Sequence, residues 1–389
     1  MKKLTYRLSL LAWLAACSHS EKVASVDAGA SAESKPSASA EDAQPRAETA
    51  DAASAVVPEP PAAVKGPKLY VTNEASGDVT IIDISKNKVL ATLPVGKRPR
   101  GIQKAPDGSA VYVALSGSVP NGPERGEKGG KEEKDAGAAD KSADGIGIID
   151  TKTGTLVGKL PSGSDPEQMA VSVDGSHLYI SNEDVAEMSV VELSSKKIEA
   201  SYKVGEEPEG VGVSPDGKWV YVTCEATSTV HVFDVKAKKM VAKLAVPGRP
   251  RGVAFLPDSL RAYITSETGG AISVVSLPEH KVIKTLKPEG ENVRPMGIAV
   301  APDGKRVYVT TGHGGTVLAI DTKKNEVVSK AEVGKRPWGV VVTPDGKTLY
   351  VANGPSDDVS VVDAETMKEK ERIKVGKKPW GVVLLPGEE

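Results

Sequence analysis

The segment Leu178-Tyr179-Ile180-Ser181-Asn182 decides the fold, because closely similar segments occur at seven places in the chain. Each has a tyrosine in its second position, and successive tyrosines are 42, 67, 42, 42, 45 and 42 residues apart. A period of about 40–45 residues is typical of β-propellers, in which one repeat forms one four-stranded blade. The seven tyrosines are Tyr70, Tyr112, Tyr179, Tyr221, Tyr263, Tyr308 and Tyr350.

Each repeat contains four short segments rich in β-branched residues, which predicts four strands. In the repeat around Tyr221 they cover residues 210–214, 219–223, 229–235 and 240–246. A Pro-Asp-Gly turn joins the first strand to the second, because Pro fixes the first turn angle, Asp bonds its own backbone and Gly accepts a positive φ. At Pro257-Asp258-Ser259 serine replaces the glycine, which predicts a distorted turn.

The two ends of the repeats predict how the ring closes. The first repeat begins at Leu69 with a second strand, whereas the C-terminal segment from Trp380 to Leu385 matches a first strand. If the C-terminal strand joins the three N-terminal strands, it completes the seventh sheet and removes the exposed edge. We therefore predict an all-β fold: a seven-bladed β-propeller with four antiparallel strands per blade.

The N-terminus has the features of a lipoprotein signal peptide. Basic residues precede an apolar run that is too short to span a bilayer, and Leu14-Ala15-Ala16-Cys17 resembles the lipobox, in which the cysteine receives a lipid. We expect a signal peptide at residues 1–16, lipidation at Cys17 and a tether over residues 17–66, whose Ala-, Ser- and Pro-rich composition cannot bury a core. A secretory signal with a chance cysteine is the alternative.

These segments predict a domain order and a location. The propeller occupies residues 67–389, and residues 116–145 form a charged insertion that we expect to be a disordered loop. A lipidated Cys17 places the protein in the bacterial cell envelope, at the outer membrane, facing the periplasm or the cell surface. We expect the lipid anchor to be the contact with the membrane and the chain to be monomeric.

Composition and missing motifs exclude several classes of function. The 50 basic and 52 acidic residues give a net charge of -2, so no cationic excess favours nucleic-acid binding. Two cysteines, Cys17 and Cys224, exclude a disulfide framework, a four-cysteine metal site and the attachment of c-type haem. Neither Gly-x-Ser-x-Gly nor His-Glu-x-x-His occurs. No catalytic residue and no cofactor are therefore expected, with pyrroloquinoline quinone (PQQ), haem and a divalent metal left open.

Strand direction brings two sets of residues to one face, the upper face, where the loops after the second and fourth strands meet. The mouth of the central channel lies there, and such concave sites bind small ligands. One set flanks the proline before each first strand: Arg98, Arg100, Asp165, Glu167, Glu207, Glu209, Arg249, Arg251, Arg294, Met296, Arg336, Trp338, Lys378 and Trp380. The other set follows the second strands: Glu74, Glu183, Glu225, Glu267 and His313.

These residues have two interpretations. In the functional one, the arginines offer paired donors to an anion and Trp338 and Trp380 offer stacking faces, so the upper face binds a protein or small-molecule ligand. In the structural one, the charges pair across neighbouring blades and the tryptophans cover the channel. His313 lies among glycines with carboxylates across the ring and is a candidate metal ligand, although most single loop histidines are not ligands.

The repeats resemble the YVTN-family β-propellers over essentially all of residues 68–389. Four segments are similar to propeller proteins associated with PQQ-dependent alcohol catabolism: residues 163–168, 181–184, 207–211 and 336–339. That resemblance implies a role in such a pathway and carries no established active site. The repeats are more distantly similar to lactonase-type propellers and to the haem-binding propeller of nitrite reductases.

The expected function is a lipid-anchored, non-catalytic binding or scaffolding module of the cell envelope that acts through its upper face. Two alternatives stay open, because propellers host unrelated activities. One is an accessory protein of a PQQ- or quinone-dependent oxidation system. The other is a lactonase-like or other hydrolase that uses His313 and upper-face carboxylates.

Overall fold

The repeats fold into seven antiparallel sheets of four strands each, which are the blades of a β-propeller. The computed structural model describes residues 66–118 and 139–387. Strands are numbered along the chain, and blade 1 combines the last strand, β28, with β1, β2 and β3. The all-β, seven-bladed prediction is confirmed.

The first three blades contain eleven of the strands in chain order. They are β1 (Lys68–Asn73), β2 (Asp78–Asp83) and β3 (Lys88–Pro94) of blade 1, β4 (Ile102–Lys104), β5 (Ala110–Leu115), β6 (Gly145–Asp150) and β7 (Thr155–Leu160) of blade 2, and β8 (Pro166–Val171), β9 (His177–Asn182), β10 (Glu187–Glu192) and β11 (Lys197–Lys203) of blade 3.

Blades 4 to 7 and the closing strand follow. They are β12 (Pro208–Val213), β13 (Trp219–Cys224), β14 (Thr229–Asp234) and β15 (Lys239–Ala245) of blade 4, β16 (Pro250–Phe255), β17 (Arg261–Ser266), β18 (Ala271–Ser276) and β19 (Lys281–Leu286) of blade 5, β20 (Ile298–Val300), β21 (Arg306–Thr310), β22 (Thr316–Asp321) and β23 (Glu326–Glu332) of blade 6, β24 (Pro337–Val342), β25 (Thr348–Asn353), β26 (Asp358–Asp363) and β27 (Lys368–Lys374) of blade 7, and β28 (Pro379–Leu385). Short 3-10 helices occur at Lys141–Ala143, Glu183–Val185, Gly312–Gly314 and Gly354–Ser356.

The tyrosine-containing second strand is the centre of each blade. It pairs with strands on both sides and packs against both neighbouring blades, so almost all of its residues are buried, as in β13. Hydrophobic side chains from adjacent blades meet in shared clusters, for example Tyr308 of blade 6 with Val340 and Leu349 of blade 7. The core is therefore a series of contacts between blades, which fixes the positions of the loops that they carry.

The C-terminal strand closes the ring as the sequence predicts. Strand β28 pairs antiparallel with β1, with Tyr70 opposite Val383 and Leu69 opposite Leu384. Leu69, Leu384 and Leu385 are buried at this junction. The first and last repeats thus form one blade and leave no open edge between them.

The turn at Ser259 is not distorted, so this prediction was wrong. Ser259 adopts a positive φ of 56°, where Gly217 of the regular turn has 71°. The Ser259 amide donates to the Leu256 carbonyl at 2.9 Å, as the glycine does in the other turns, and its hydroxyl accepts from the Asp216 amide at 3.0 Å. This bond to the neighbouring blade, which glycine cannot make, helps to offset the strain of the left-handed conformation.

Several predicted segments fall where the structure gives no description. The signal peptide, Cys17 and residues 17–65 of the tether lie outside the described residues, as do residues 119–138 of the insertion. The described ends of the insertion meet, since the Asp140 amide donates to the Gly117 carbonyl at 2.8 Å. Within residues 66–118 and 139–387, no helix has the length and apolar content to cross a membrane.

Candidate functional site

One residue from each blade surrounds the upper end of the central channel. It follows the proline near the start of the first strand, and in six of the seven blades a glycine comes next. Together these residues form the mouth ring: Arg100, Glu167, Glu209, Arg251, Met296, Trp338 and Trp380. Four consecutive members are charged and the other three are apolar, so the ring has a charged half and an apolar half.

Two repeated features fix the backbone of the mouth ring. A hydroxyl in the second strand of one blade donates to the mouth-ring carbonyl of the next blade, and the pairs are Thr72 with Arg100 (2.7 Å), Ser181 with Glu209 (2.5 Å), Thr223 with Arg251 (2.7 Å), Thr265 with Met296 (2.6 Å) and Thr310 with Trp338 (2.6 Å). The glycine after a mouth-ring residue lies against the mouth-ring carbonyl of the next blade, which leaves no room for a side chain. A Cβ on Gly381, which follows Trp380, would lie 2.5 Å from the Arg100 carbonyl oxygen. The side chain alone therefore distinguishes one blade from the next.

The glutamates after the second strands are held by the same loops. Each amide donates to the carbonyl of the residue before the proline: Glu74 to Lys378 (3.0 Å), Glu183 to Asp165 (2.9 Å), Glu225 to Glu207 (2.8 Å) and Glu267 to Arg249 (2.8 Å). Asp165, Glu207, Arg249 and Lys378 all have a left-handed backbone, with φ between 51° and 57°. This arrangement places a strand-end carboxylate next to a mouth-ring side chain.

Arg251 is the centre of one group of charges, the arginine–glutamate cluster. Its members are Arg249, Arg251, Arg294, Glu209, Glu225 and Glu267. Nε and Nη2 of Arg251 lie 2.8 and 2.7 Å from Oε2 of Glu267, and Nη1 lies 3.0 Å from Glu209 and also contacts Glu225. Arg251 is 8% exposed and these glutamates are buried, so water screens the interactions little. The guanidinium therefore joins three buried carboxyl groups from blades 4 and 5.

Two carboxyls of this cluster have opposite pKa shifts. Burial raises the pKa of Glu225 to about 8; Glu209 adds to the shift, while Arg251 and Arg249 oppose it. Burial acts in the same direction on Glu267, but Arg251, Arg249 and Arg294 outweigh it and lower the Glu267 pKa. Neighbouring carboxyls with separated pKa values are the arrangement that distinguishes a proton donor from a proton acceptor.

A second network joins blades 1, 2 and 3. Nε of Arg100 donates to Glu74 at 2.8 Å, and Nη1 of Arg100 contacts Oε1 of Glu167. Arg98 lies 3.6 Å from both Glu74 and Asp165. Burial would lower the pKa of Arg100, but Glu167 and Glu74 raise it well above its ordinary value. Arg100 therefore remains charged, and both arginines pair with carboxyl groups of neighbouring blades.

Three carboxyl groups of blade 3 form an acidic cluster: Asp165, Glu167 and Glu183. One oxygen from each lies within 4.8 Å of the other two. Asp165 and Glu167 are buried, and Glu183 is partly buried. Burial raises the pKa of Glu167 well above its ordinary value against the effect of Arg100, and Glu209 and Glu183 add to the rise. Burial, together with Glu209 and Asp165, also raises the pKa of Glu183.

The apolar half of the mouth ring contains a pair of tryptophans. The Trp338 and Trp380 ring centroids are 5.5 Å apart, with an angle of 32° between the planes. The Arg336 and Arg251 guanidinium carbons lie 4.9 and 5.7 Å from the Trp338 centroid. Arginine over the face of an indole is a favourable cation–π arrangement. Trp338 therefore links the apolar half to the arginine–glutamate cluster.

A cavity of about 190 Å³ lies between the two halves of the mouth ring. First-strand residues from all seven blades line it, so it lies on the propeller axis. Glu209, Arg251, Met296, Trp338 and Trp380 are the mouth-ring residues in its wall. A dry cavity of about 150 Å³ holds a benzene molecule, so this volume is sufficient for one small ring compound.

Ion pairs and ring contacts join predicted binding residues into two groups, one around Arg251 and Trp338 and the other around Arg100. Their role in binding stays a prediction. The charges pair across neighbouring blades, as the structural interpretation expected, but Arg251 and its glutamates are buried and not exposed. His313 is exposed in the 3-10 helix Gly312–Gly314 and lies outside the acidic cluster.

Cys224 occupies the strand-end position that Asn73 and Asn182 occupy in other repeats, which predicts a packing role and not a nucleophile. Cys224 is fully buried, and burial raises its thiol pKa to about 11, which agrees with packing and not with a nucleophile. The strand and turn positions of His231 and His280 predict solvated side chains, and this prediction is wrong, because both side chains are half-buried. Nδ1 of His280 is hydrogen-bonded to the Tyr221 hydroxyl at 2.8 Å, and the His280 ring lies edge-on to Trp219, so both partners come from blade 4.

Sequence reasoning omitted two residues from the proposed site. Gln168 and Gln103 line the cavity but were not selected. A signal for Gln168 was present, since it replaces the glycine that follows every other mouth-ring residue.

The fold and the site define a class: a closed seven-bladed propeller with a small cavity at a half-charged, half-aromatic channel mouth. The family model described as "Lactonase, 7-bladed beta-propeller" matches residues 63–246 and 208–377. The chain belongs to this family. The more specific YVTN and PQQ-associated resemblances are not supported by this match.

Individual relatives agree on the fold. Antigen Lp49 of Leptospira interrogans is 31% identical over 120 residues, which cover 30% of this chain and 23% of the antigen, so less than a quarter of that protein is matched. A provisionally assigned 6-phosphogluconolactonase from Bacteroides fragilis is 17% identical with a TM-score of 0.66, covering 82% of this chain and 98% of its own. Kuenenia stuttgartiensis hydrazine synthase is 21% identical with a TM-score of 0.60, covering 73% and 88%. Structural likeness at these identities shows the fold alone.

Proposed function

We propose that the protein binds a small cyclic ester in the mouth-ring cavity and hydrolyses it. The observation that carries this proposal is the position of Arg251 and Glu209 in the wall of the cavity, 3.0 Å apart and next to the aromatic surface of Trp338. Membership of the lactonase family supports the same class of substrate. Trp338 and Trp380 offer apolar faces to the ring of the ester, while the charged half faces its polar group.

The chemistry assigns a role to each side chain. The Glu209 carboxylate takes a proton from a water molecule, whose oxygen bonds to the ester carbonyl carbon. The Arg251 guanidinium stabilises the negative charge that develops on the carbonyl oxygen. The ring C–O bond then breaks, and the alkoxide regains the proton from Glu209, so that one lactone and one water give one hydroxy acid. Glu225 and Glu267 position Arg251 and do not line the cavity.

A panel of five- and six-membered lactones tests this proposal through acid release. We expect the purified protein to hydrolyse at least one of them and Glu209→Gln to lose kcat by about 10²–10⁴-fold, the usual contribution of a positioned base. Glu206→Gln is the matched control, since Glu206 is exposed and three residues away. A wild-type protein with no activity above buffer on the whole panel, or a fully active Glu209→Gln variant, would contradict the proposal.

A non-catalytic binding role is the second candidate function, as a scaffold or as an accessory to a quinone-dependent oxidation. The cross-blade ion pairs favour it, because they lock the mouth ring into a rigid surface. Tryptophan fluorescence that responds to a ring compound without turnover would support this role. An Arg251→Ala, Arg336→Ala double variant with unchanged binding would argue against it.

We also propose that the mature protein is a monomer held in the cell envelope by a lipid on Cys17, with no nucleic-acid partner. The short apolar run and the Leu14-Ala15-Ala16-Cys17 segment support this location. Mass spectrometry of the N-terminal peptide should find a lipidated cysteine, and Cys17→Ser should release the protein from the membrane fraction. An unmodified Cys17 in membrane-free protein would refute the anchor.

A further inference from the structure

The acidic cluster lies at the mouth ring, where the blades have the same backbone arrangement. It differs from the rest of the mouth ring because it contains three carboxyl groups and no basic residue. Asp165, Glu167 and Glu183 bring one oxygen each to within 4.8 Å of one another. Two ligand atoms bound to the same Ca²⁺ at about 2.3–2.6 Å can be separated by up to roughly 5 Å. The three carboxyl groups therefore have the spacing of a shared cation site.

The Glu167 side chain gives a second and independent observation. It is fully buried, Arg100 contacts its Oε1, and its Oε2 has no hydrogen-bond partner among the described residues. The Glu183 carboxyl lies within hydrogen-bonding reach of Glu167. Two carboxylates both accept hydrogen bonds, so their contact requires a proton or a cation between them.

The charge balance differs between the two groups of the mouth. The arginine–glutamate cluster has three arginines for three glutamates. Around the acidic cluster, the four carboxyl groups of Glu74, Asp165, Glu167 and Glu183 face the two arginines Arg98 and Arg100. Nearby Lys141 does not restore the balance, because it pairs with Asp184. Lys378 adds a positive charge near Glu74, so these groups keep an excess of carboxyl groups over cationic side chains, which favours a bound cation.

The chemistry of the donors selects the kind of cation. All three groups are carboxylates, which are hard oxygen ligands, and no histidine or cysteine belongs to the cluster. Zinc sites in proteins usually include such nitrogen or sulfur ligands, whereas Ca²⁺ takes six to eight oxygens, some of them from water. Three protein ligands at a partly exposed edge suit a calcium site that is completed by water.

We propose that Asp165, Glu167 and Glu183 bind one Ca²⁺ ion beside the cavity. Gln168, the residue after Glu167 in the chain, lines the cavity, so the cation site adjoins the cavity wall. The site is independent of lactone hydrolysis, because cation binding is measured without substrate. A protein that binds no Ca²⁺ could therefore still hydrolyse lactones, and a protein without lactonase activity could still bind Ca²⁺.

Calorimetric titration of EDTA-treated protein with CaCl₂ tests the site. We expect one ion per chain with a micromolar to millimolar dissociation constant, and a higher melting temperature in Ca²⁺. Glu183→Gln should weaken binding by about tenfold or more, because affinity follows the number of charged ligands. Circular dichroism and the melting temperature of the variant in EDTA show whether it is folded.

Asp184→Asn is the matched control. It removes the same charge one residue away, but Asp184 belongs to the Lys141 pair and not to the cluster. Retained binding in Asp184→Asn and loss in Glu183→Gln would support ligation. Three results would overturn the proposal. The first is no Ca²⁺ or Mn²⁺ binding by the wild type at millimolar concentration, the result expected if Glu167 and Glu183 share a proton. The second is undiminished binding by Glu183→Gln, and the third is an equal loss of binding in both variants.

Discussion

The two halves of the mouth ring share a backbone and differ in how their side chains depend on one another. In the charged half, Arg251 contacts three glutamates, so each charge is compensated by its neighbours. In the apolar half, Trp338 and Trp380 are in contact through one ring pair. One position per repeat therefore decides whether a blade contributes to a coupled network or to an apolar surface.

This difference predicts different responses to substitution. Removing one member of a buried charge network leaves its partners uncompensated, so the effects of single changes do not add. Removing one aromatic ring costs mainly the contacts of that ring. Measuring the free energy of unfolding of single and double variants in each half therefore shows whether its side chains are energetically coupled or independent.

Deleting residues 379–389 should have the largest effect, because it removes the strand on which both halves depend. Trp380, Val383, Leu384 and Leu385 are buried in β28, and each contributes roughly 1.5–3 kcal/mol of apolar burial. Their sum is of the order of the net stability of a whole domain, about 5–15 kcal/mol. We expect thermal unfolding followed by circular dichroism to lose its cooperativity. Deleting residues 388–389 is the control, and an unchanged melting curve for the longer deletion would refute closure by β28.

Arg251→Met should have the next largest effect. It leaves Glu209, Glu225 and Glu267 without their shared partner, and breaking a buried ion pair costs about 3–5 kcal/mol. Urea unfolding measures the loss. Adding Glu267→Gln to the variant should restore part of the stability, since the uncompensated Glu267 charge is then removed. A loss below about 1 kcal/mol, the usual value of an exposed pair, would show that the cluster is not coupled.

The fold could be predicted from the sequence because every repeat carries the same local signals. The tyrosine spacing gives the blade number, and the turn residues and the unmatched ends give the strand order and the closure. Ser259 shows where such reasoning fails. A missing glycine predicted strain, but the hydrogen bond from the Asp216 amide to the serine hydroxyl depends on the neighbouring blade and is not visible in the local sequence.

The sequence predicts which residues lie on the upper face, but it does not predict which of them contact one another or how deeply they are buried. The repeats placed Arg251 and Glu225 on the same face, whereas the degree of burial that raises the Glu225 pKa follows from how the blades pack. The acidic cluster illustrates the same limit: Glu183 and Glu167 lie 16 residues apart in the chain, and only the pairing of β8 with β9 brings them together.

The pH dependence of stability should distinguish the charged half from the apolar half of the mouth ring, because the apolar half has no titratable side chain. The Glu225 pKa is about 8 in the folded protein, above the ordinary value of 4.5. Between these values the folded state keeps a proton that the unfolded state has lost, so this group lowers the free energy of unfolding as pH rises from 4.5 to 8. Below 4.5 both states are protonated, and the contribution no longer changes.

Glu225→Gln should flatten this part of the stability curve, measured by urea unfolding at several pH values. The neutral amide imitates the protonated carboxyl, so the variant should resemble the wild type at low pH and exceed it near pH 8. Trp338→Leu should leave the slope unchanged and serves as the comparison from the apolar half. A wild type that gains stability between pH 5 and 8, with the gain abolished by Glu225→Gln, would mean that the arginines lower the Glu225 pKa instead.

Trp338→Leu should have the smallest effect on stability. The leucine keeps an apolar side chain in the cavity wall but loses the ring contact with Trp380 and the arginine faces of Arg336 and Arg251. An aromatic pair contributes about 0.5–1.5 kcal/mol and each exposed cation–π contact about 0.5–1 kcal/mol, so we expect the loss of all three contacts to cost about 2 kcal/mol. A double-mutant cycle with Trp380→Leu measures the coupling of the rings. If that coupling equalled the one between Arg251 and Glu225, the two halves would not differ in the way proposed, and the mouth ring would respond as a single unit.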